Sequence, residues 1–181
     1  MSNRDWVPTF SGKKLNPTKI DPRAINIEDI AHHLSLQCRF AGATEHLCSV
    51  AQHSVMVAKY VWQETKSSHE ALWGLLHDAA EAYLQDVNIA VKHLIKDTYG
   101  PLEEELLKVI INKYGLVWPE PEVVKRWDWI IGCNEAFSFI KKGSPKFFGV
   151  EPVQKVYLTY WTAEFAEKAF VENFYSLSED L

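Results

Sequence analysis

Between residues 71 and 83 the apolar positions recur at helical spacing, with Leu72, Leu75, Leu76, Ala79 and Ala82 on one stripe. The spacing predicts a core helix over 71–83 that ends by Asp86 to Asn88. Upstream, Asn26 precedes a second stripe of Ile27, Ile30, Ala31, Leu34 and Cys38, with acidic Glu28 and Asp29 in the first turn. That pattern predicts a helix ending near Arg39-Phe40. Thr44 is the expected cap of the next helix, over 45–65, which carries Leu47, Val50, Val55, Ala58 and Val61 on its apolar side.

Further along, residues 89–95 predict a short helical turn. Residues 101–114 predict a helix with Pro101 in its first turn and Gly115 at its end. A long apolar stretch over 123–142 stops at Gly143-Ser144-Pro145. After a loop holding Phe147-Phe148-Gly149, a final helix is expected over 153–175. Before all of these, residues 5–22 carry Pro8, Gly12, Pro17 and Pro22, the punctuation of an extended arm or hairpin. About six helices with no βαβ alternation predict a compact all-α bundle. Its expected parts are a short arm over 1–25, a core over 26–142 and a C-terminal helix within 150–181.

Composition narrows this reading without redirecting it. At 181 residues one domain can bury roughly two-thirds of the surface its unfolded chain exposes. Seven Trp and 13% aromatic residues predict a dense core with some aromatic surface. A net charge of −5 argues against nucleic-acid or membrane-surface binding. Three cysteines without CxxC spacing predict free thiols in a reducing cytoplasm. No apolar run approaches spanning length and residues 1–10 hold no signal-peptide core, so a cytoplasmic protein is expected.

What changes the picture is the polar cargo on these apolar helices. At about 100° per residue, His77 and Glu81 lie one turn apart with Asp78 beside them. Burying such groups without partners costs several kcal/mol, so compensation is required. Neutral imidazole and carboxylate are ordinary ligands of a metal ion, which makes one the candidate. His53 on the preceding helix and Asp128 on the long later one complete a two-His, two-Asp set. Taken singly, His53 has the alternative of a satisfied core histidine, and Asp128 that of an ordinary helix-face charge.

Together, the His53…His77-Asp78…Asp128 order in an all-α chain resembles the HD-domain metal phosphohydrolases. Within that superfamily the chain is similar to the bacterial 5′-deoxynucleotidases and to phage dATP triphosphohydrolases of the DatZ type. The likeness spans about residues 27–135 and includes Ile27 to His32, Cys38-Arg39-Phe40 and Ser49 to Ser54. It implies an HD-domain bundle, with His53, His77, Asp78 and Asp128 holding one divalent ion among Co²⁺, Mn²⁺, Zn²⁺, Fe²⁺, Ni²⁺ and Mg²⁺. It also implies Glu81 and Asp86 as catalytic groups, Asp86 favoured as acid/base, and a homo-oligomer, dimer or larger.

The same resemblance places Arg39 and Phe40 at the substrate, where a guanidinium clamps phosphate and a ring stacks on base or sugar. Lys92 is a second candidate for phosphate, with a solvated surface charge as its alternative. Phe40 stands where relatives have Trp, and Gln85 where they often have Gly. His93 is the sole histidine between His77 and Asp128, which favours one metal over two. The implied reaction is removal of phosphate from a mono- or triphosphate deoxynucleotide. Cyclic nucleotides and (p)ppGpp are the rival substrates, and a non-catalytic nucleotide-binding scaffold is the reading from another class. Glu135, two turns beyond Asp128 on the same face, is a candidate for a place behind the ligands and is not counted among the site residues.

Overall fold

The computed structural model describes residues 5–140 and 156–179, and the fold is built around a helix whose first half is buried on every side. This helix, α2 (Val50–Thr65), has an unbroken buried run from Val50 to Ala58 and then Val61, and its last turn is exposed. A helix segment buried all round must be surrounded. Its neighbours are α1 (Ile27–Leu36), α3 (Ser68–Leu76), α7 (Glu122–Phe139) and α8 (Ala163–Ser178). The remaining helices are α4 (Glu81–Leu84), α5 (Ile89–Leu94) and α6 (Lys96–Lys113). Predominantly helical and wrapped on a common core, this is the expected all-α class. Among the described residues no helix is long and apolar enough to cross a membrane.

The arm is the expected hairpin: β1 (Val7–Pro8) pairs antiparallel with β2 (Lys14–Leu15). It is fastened rather than loose. Leu15 is fully buried, and Ser11 donates to Asp29 from both its backbone nitrogen and its hydroxyl. His33 takes the Phe10 amide on Nε2 and donates from Nδ1 to the Ala82 carbonyl at 2.7 Å.

Several boundaries differ from the pattern-based expectation, each for a local reason. Asn26 caps α1 as expected, its side chain accepting from the Asp29 amide. The helix stops at Leu36 rather than at Arg39-Phe40, because the chain beyond it turns extended and pairs. Cys38 bridges Ser49, Arg39 N donates to Cys48 O at 2.8 Å, and Val50 N donates to Gln37 O at 3.1 Å. The same pairing delays α2, whose cap is Ser49 and not Thr44.

The helix expected over 71–83 is interrupted. α3 ends at Leu76, and from there Ala79 N bonds Leu76 O and Glu81 N bonds Asp78 O, the three-residue spacing of a tighter turn. Pro101 sits inside α6, which starts five residues earlier than expected. The last helix begins at Ala163 behind a Thr162 cap. The preceding extended segment is held by Gln52, which donates to Thr159 O and accepts from Trp161 N. The breaker at 143–145, the loop at 147–149 and residues 153–155 lie outside the described residues.

Close approach of α3 to α2 is permitted by Gly74, where a β-carbon would stand 3.2 Å from the Ala58 backbone. That contact brings the end of α3, and with it His77, against the first half of α2.

Candidate metal centre

His53 and His77 meet at this junction with ring centroids 5.3 Å apart. Each ring has one nitrogen occupied by the surrounding fold. His77 Nδ1 donates to the Gly74 carbonyl at 2.8 Å, an acceptor-only partner that assigns the tautomer. His53 Nδ1 lies 3.0 Å from Glu135 Oε2. The opposite nitrogens therefore face a common point.

Two carboxylates close on that point from different elements. Asp128 Oδ1, on α7, is 3.0 Å from His53 Nε2 and 3.7 Å from His77 Nε2. Asp78 Oδ2, in the tight turn after α3, is 3.2 Å from His77 Nε2 and 4.0 Å from His53 Nε2. Donor atoms of His53, His77 and Asp128 all lie within 4.8 Å of one another, a group that could hold a metal ion. His77 Nε2 is buried with no hydrogen-bond partner, an expensive orphan that a bound cation would satisfy. Two imidazole nitrogens and two carboxylate oxygens form a mixed donor set that suits first-row divalent ions without selecting one.

The electrostatics agree with this convergence. Burial opposes a charged imidazole at both histidines, yet Glu135 and Asp128 hold the His53 imidazolium above its ordinary range. Asp78 and Asp128 do so more strongly for His77. Burial likewise opposes ionised Asp78 and Asp128, and the two histidines outweigh it and hold both carboxyls low.

The remaining expected residues line a cleft of about 520 Å³ that opens beside Asp78 and Asp128. Arg39 crosses its floor, with Nε 3.0 Å from Glu135 Oε2 and one terminal nitrogen 3.5 Å from Asp78 Oδ2. Phe40 is at its edge, its ring 5.4 Å from the guanidinium carbon, and takes positive φ (55°) together with Ala41 (51°). Glu81 is buried; burial and Asp78 push its carboxyl well above the usual range, against the pull of Lys92. Asp86 is half-buried and raised by burial, with Arg39 opposing. Lys92 reaches the cleft from α5, but its ammonium is held between Glu81 Oε1 at 3.0 Å and Glu103 Oε1 at 2.9 Å.

Three neighbours of the site were not counted among its residues from sequence. Glu135 stands behind His53 and Arg39, and its spacing from Asp128 was the available signal. Gln37 donates to the Glu81 carbonyl at 3.0 Å and accepts from the Asp86 amide at 3.1 Å, so it sets the turn between the two acids. Glu120 approaches from the Pro119-Glu120-Pro121 connection; burial raises its carboxyl, with His77 opposing and Asp128 and Asp78 adding. Nothing in the local sequence of Gln37 or Glu120 signals these positions.

No protein-family model matches the chain. The uncharacterized protein YfdR of Escherichia coli (strain K12) is 38% identical over 177 residues, 96% of this chain and 96% of YfdR. The uncharacterized protein RCAP_rcc00048 of Rhodobacter capsulatus is 35% identical over 127 residues, 68% of this chain and 65% of its own length. Neither relative's name states an activity. Similarity at that level over nearly the whole of both chains shows that this chain belongs to the same family as YfdR.

Proposed function

We propose that the chain is a metal-dependent phosphohydrolase of the HD-domain superfamily acting on deoxynucleotides. The observation that carries this reading is the convergence of His53 Nε2, His77 Nε2, Asp78 Oδ2 and Asp128 Oδ1 at the end of a cleft floored by Arg39. Those four side chains would hold one divalent ion, which supplies charge neutralisation at a phosphate oxygen and a more acidic water. Arg39, paired by charge with Glu135, offers its terminal nitrogens to the phosphate, and Phe40 offers a face to the base or sugar. Glu81 and Asp86, both with carboxyls raised from the ordinary range, take and return the protons of attack and departure.

The test is a product screen by ion-exchange chromatography with Co²⁺, Mn²⁺ and Mg²⁺, which resolves released phosphate, pyrophosphate and triphosphate and the nucleoside or ring-opened nucleotide left behind. Its panel is deoxynucleoside mono- and triphosphates, cyclic nucleotides and (p)ppGpp. Metal-dependent release from deoxynucleotides, abolished by EDTA, is the expected result. Release confined to cyclic nucleotides or (p)ppGpp would replace the substrate class. Nucleotide binding with no release from any compound would favour the scaffold reading. Assembly into a dimer or larger particle, implied by the same resemblance, is read by light scattering on the eluting protein.

A further inference from the structure

One oxygen of Glu135 serves two partners that have different tasks in the proposed reaction. The side chain is fully buried, and Oε2 lies 3.0 Å from His53 Nδ1 and 3.0 Å from Arg39 Nε. We propose that Glu135 is a positioning residue that ties the metal-holding histidine to the phosphate-clamping arginine, so that one oxygen sets both. The proposal rests on the metal-dependent reading above.

The two contacts differ in kind. A carboxylate accepting from Nδ1 fixes the plane of the His53 ring, leaves Nε2 as the ligand and raises its basicity; losing such a partner typically weakens metal affinity 10- to 100-fold. At Arg39 Nε the contact is an ion pair not aligned as a hydrogen bond, so it holds the guanidinium beside Glu135 by charge and leaves the terminal nitrogens for a ligand. Helix α7 is shaped for this: Asp128, Gly132 and Glu135 follow at spacings of four and three residues, on one face. A β-carbon at Gly132 would lie 3.4 Å from an Arg39 terminal nitrogen, so the guanidinium packs directly on this face of α7.

Metal-stripped protein titrated with Mn²⁺ by calorimetry tests the first half without turnover. Glu135→Gln keeps the shape and removes the charge, and its Mn²⁺ dissociation constant should rise 10- to 100-fold. A mere counter-ion of Arg39 would behave differently in the double variant Arg39→Gln/Glu135→Gln, where neither charge remains. Positioning through His53 predicts that the double variant stays as weak as Glu135→Gln. Recovery of wild-type affinity in the double variant overturns the proposal, as does wild-type affinity in Glu135→Gln itself. Should Glu135→Gln fail to fold, the charge-balanced double variant alone decides.

The second half is read by inorganic phosphate binding to the Mn²⁺-loaded proteins, expected to weaken about tenfold in Glu135→Gln. Unchanged phosphate affinity removes Arg39 from the claim and so overturns the coupling. A wild-type protein that binds no Mn²⁺ would overturn the metal reading itself. A wild type that binds, beside a Glu135→Gln that binds equally, overturns this inference alone.

Discussion

Lys92 Nζ lies 3.0 Å from Glu81 Oε1, and this contact opposes the burial that drives the Glu81 carboxyl upward. Without it, Glu81 would keep its proton to still higher pH. Lys92→Met is therefore expected to show a small deficit near pH 5, where the pair with Glu103 is already lost, and to fall further behind as the pH rises. The reason is that a carboxyl raised above its unfolded value loses stability as the pH climbs from about 4.5 through the folded value. The deficit should reach about 2 kcal/mol by pH 8, the scale of a lost charge-assisted bond. Urea midpoints at the two pH values measure it, and an equal deficit at both would contradict the pairing.

Asp78→Ala should abolish stabilisation by Mn²⁺ while the far-ultraviolet spectrum is retained. Its side chain contacts His77, His53 and Arg39, whereas the bundle is held by the apolar core around α2. Stability in EDTA should drop by only about 1–2 kcal/mol. A metal at a hundredfold excess over its dissociation constant adds about 2.7 kcal/mol to the wild type, and thermal melts with and without Mn²⁺ separate the two. Full stabilisation of the variant would remove Asp78 from the ligand set.

Protons and metal compete for the same nitrogens. Burial opposes the imidazolium at His53 and His77, but the surrounding carboxylates prevail and raise both. In stripped protein their contribution is complete below about pH 6.5 and fades as the pH rises through the folded values. Asp78 and Asp128, held low, contribute above about pH 4 and lose that contribution as the pH falls. A metal ion needs the imidazoles deprotonated. The rise in melting temperature on adding Mn²⁺ should therefore be small near pH 5.5 and grow toward pH 8. A shift independent of pH would rule out His ligation.

Phe40→Ala should discriminate between substrates. Removing a stacking face costs about 1–3 kcal/mol per base and nothing for a compound without one. The ratio of nucleotide to ribose 5-phosphate activity, at equal metal loading, should fall roughly tenfold or more. A constant ratio with a lower melting temperature would make Phe40 a packing residue.

Gln85 adopts φ 72° and ψ 151°, a region almost restricted to glycine and costing about 1–3 kcal/mol for other residues. Its backbone bonds, from its amide to Glu81 O and from Tyr99 Oη to its carbonyl, need no side chain. Gln85→Gly should raise stability by about 1 kcal/mol after the entropy of glycine is subtracted. Calorimetric melting measures the gain, and a loss would show that the glutamine side chain holds the turn.

The parts of this fold that were legible from sequence are those where side-chain periodicity decides the structure. The stripes on α1, α2 and α7 bury largely as expected, though Cys38 is exposed beyond the end of α1, and the His77-Asp78 pair, expected within a continuous helix, sits where α3 ends and the tight turn begins. Cys38 and Ser49 show where that reading ends. Their pairing is an agreement between two backbones, invisible to any single-helix pattern, and it moved two helix boundaries. The break after Leu76 was hidden because Ala79 and Ala82 stay buried in either kind of turn. At the site, the order of His53, His77, Asp78 and Asp128 along the chain pointed to side chains that do converge, whereas Glu120 and Gln37 arrive through loop geometry. Lys92 was visible as a charge, but its double pairing depends on how α5 lies against α6.

The paired segment around Cys38 and Ser49 divides the rim of the cleft into a part fixed by backbone pairing and a loop held at fewer points, among them Glu45 N to Phe139 O at 3.0 Å. Its two backbone hydrogen bonds fasten residues 37–39 to 48–50, which pins Arg39 and the start of the helix bearing His53. Between the fastened ends, residues 41–43, 45 and 46 are exposed. Changes of length or sequence there cost little once a loop's ends are closed. On the proposed reading, descendants of one ancestor could thus reshape the cleft wall beside Phe40 and Ala43, and with it the choice of substrate, without disturbing the His53, His77 and Asp128 cluster.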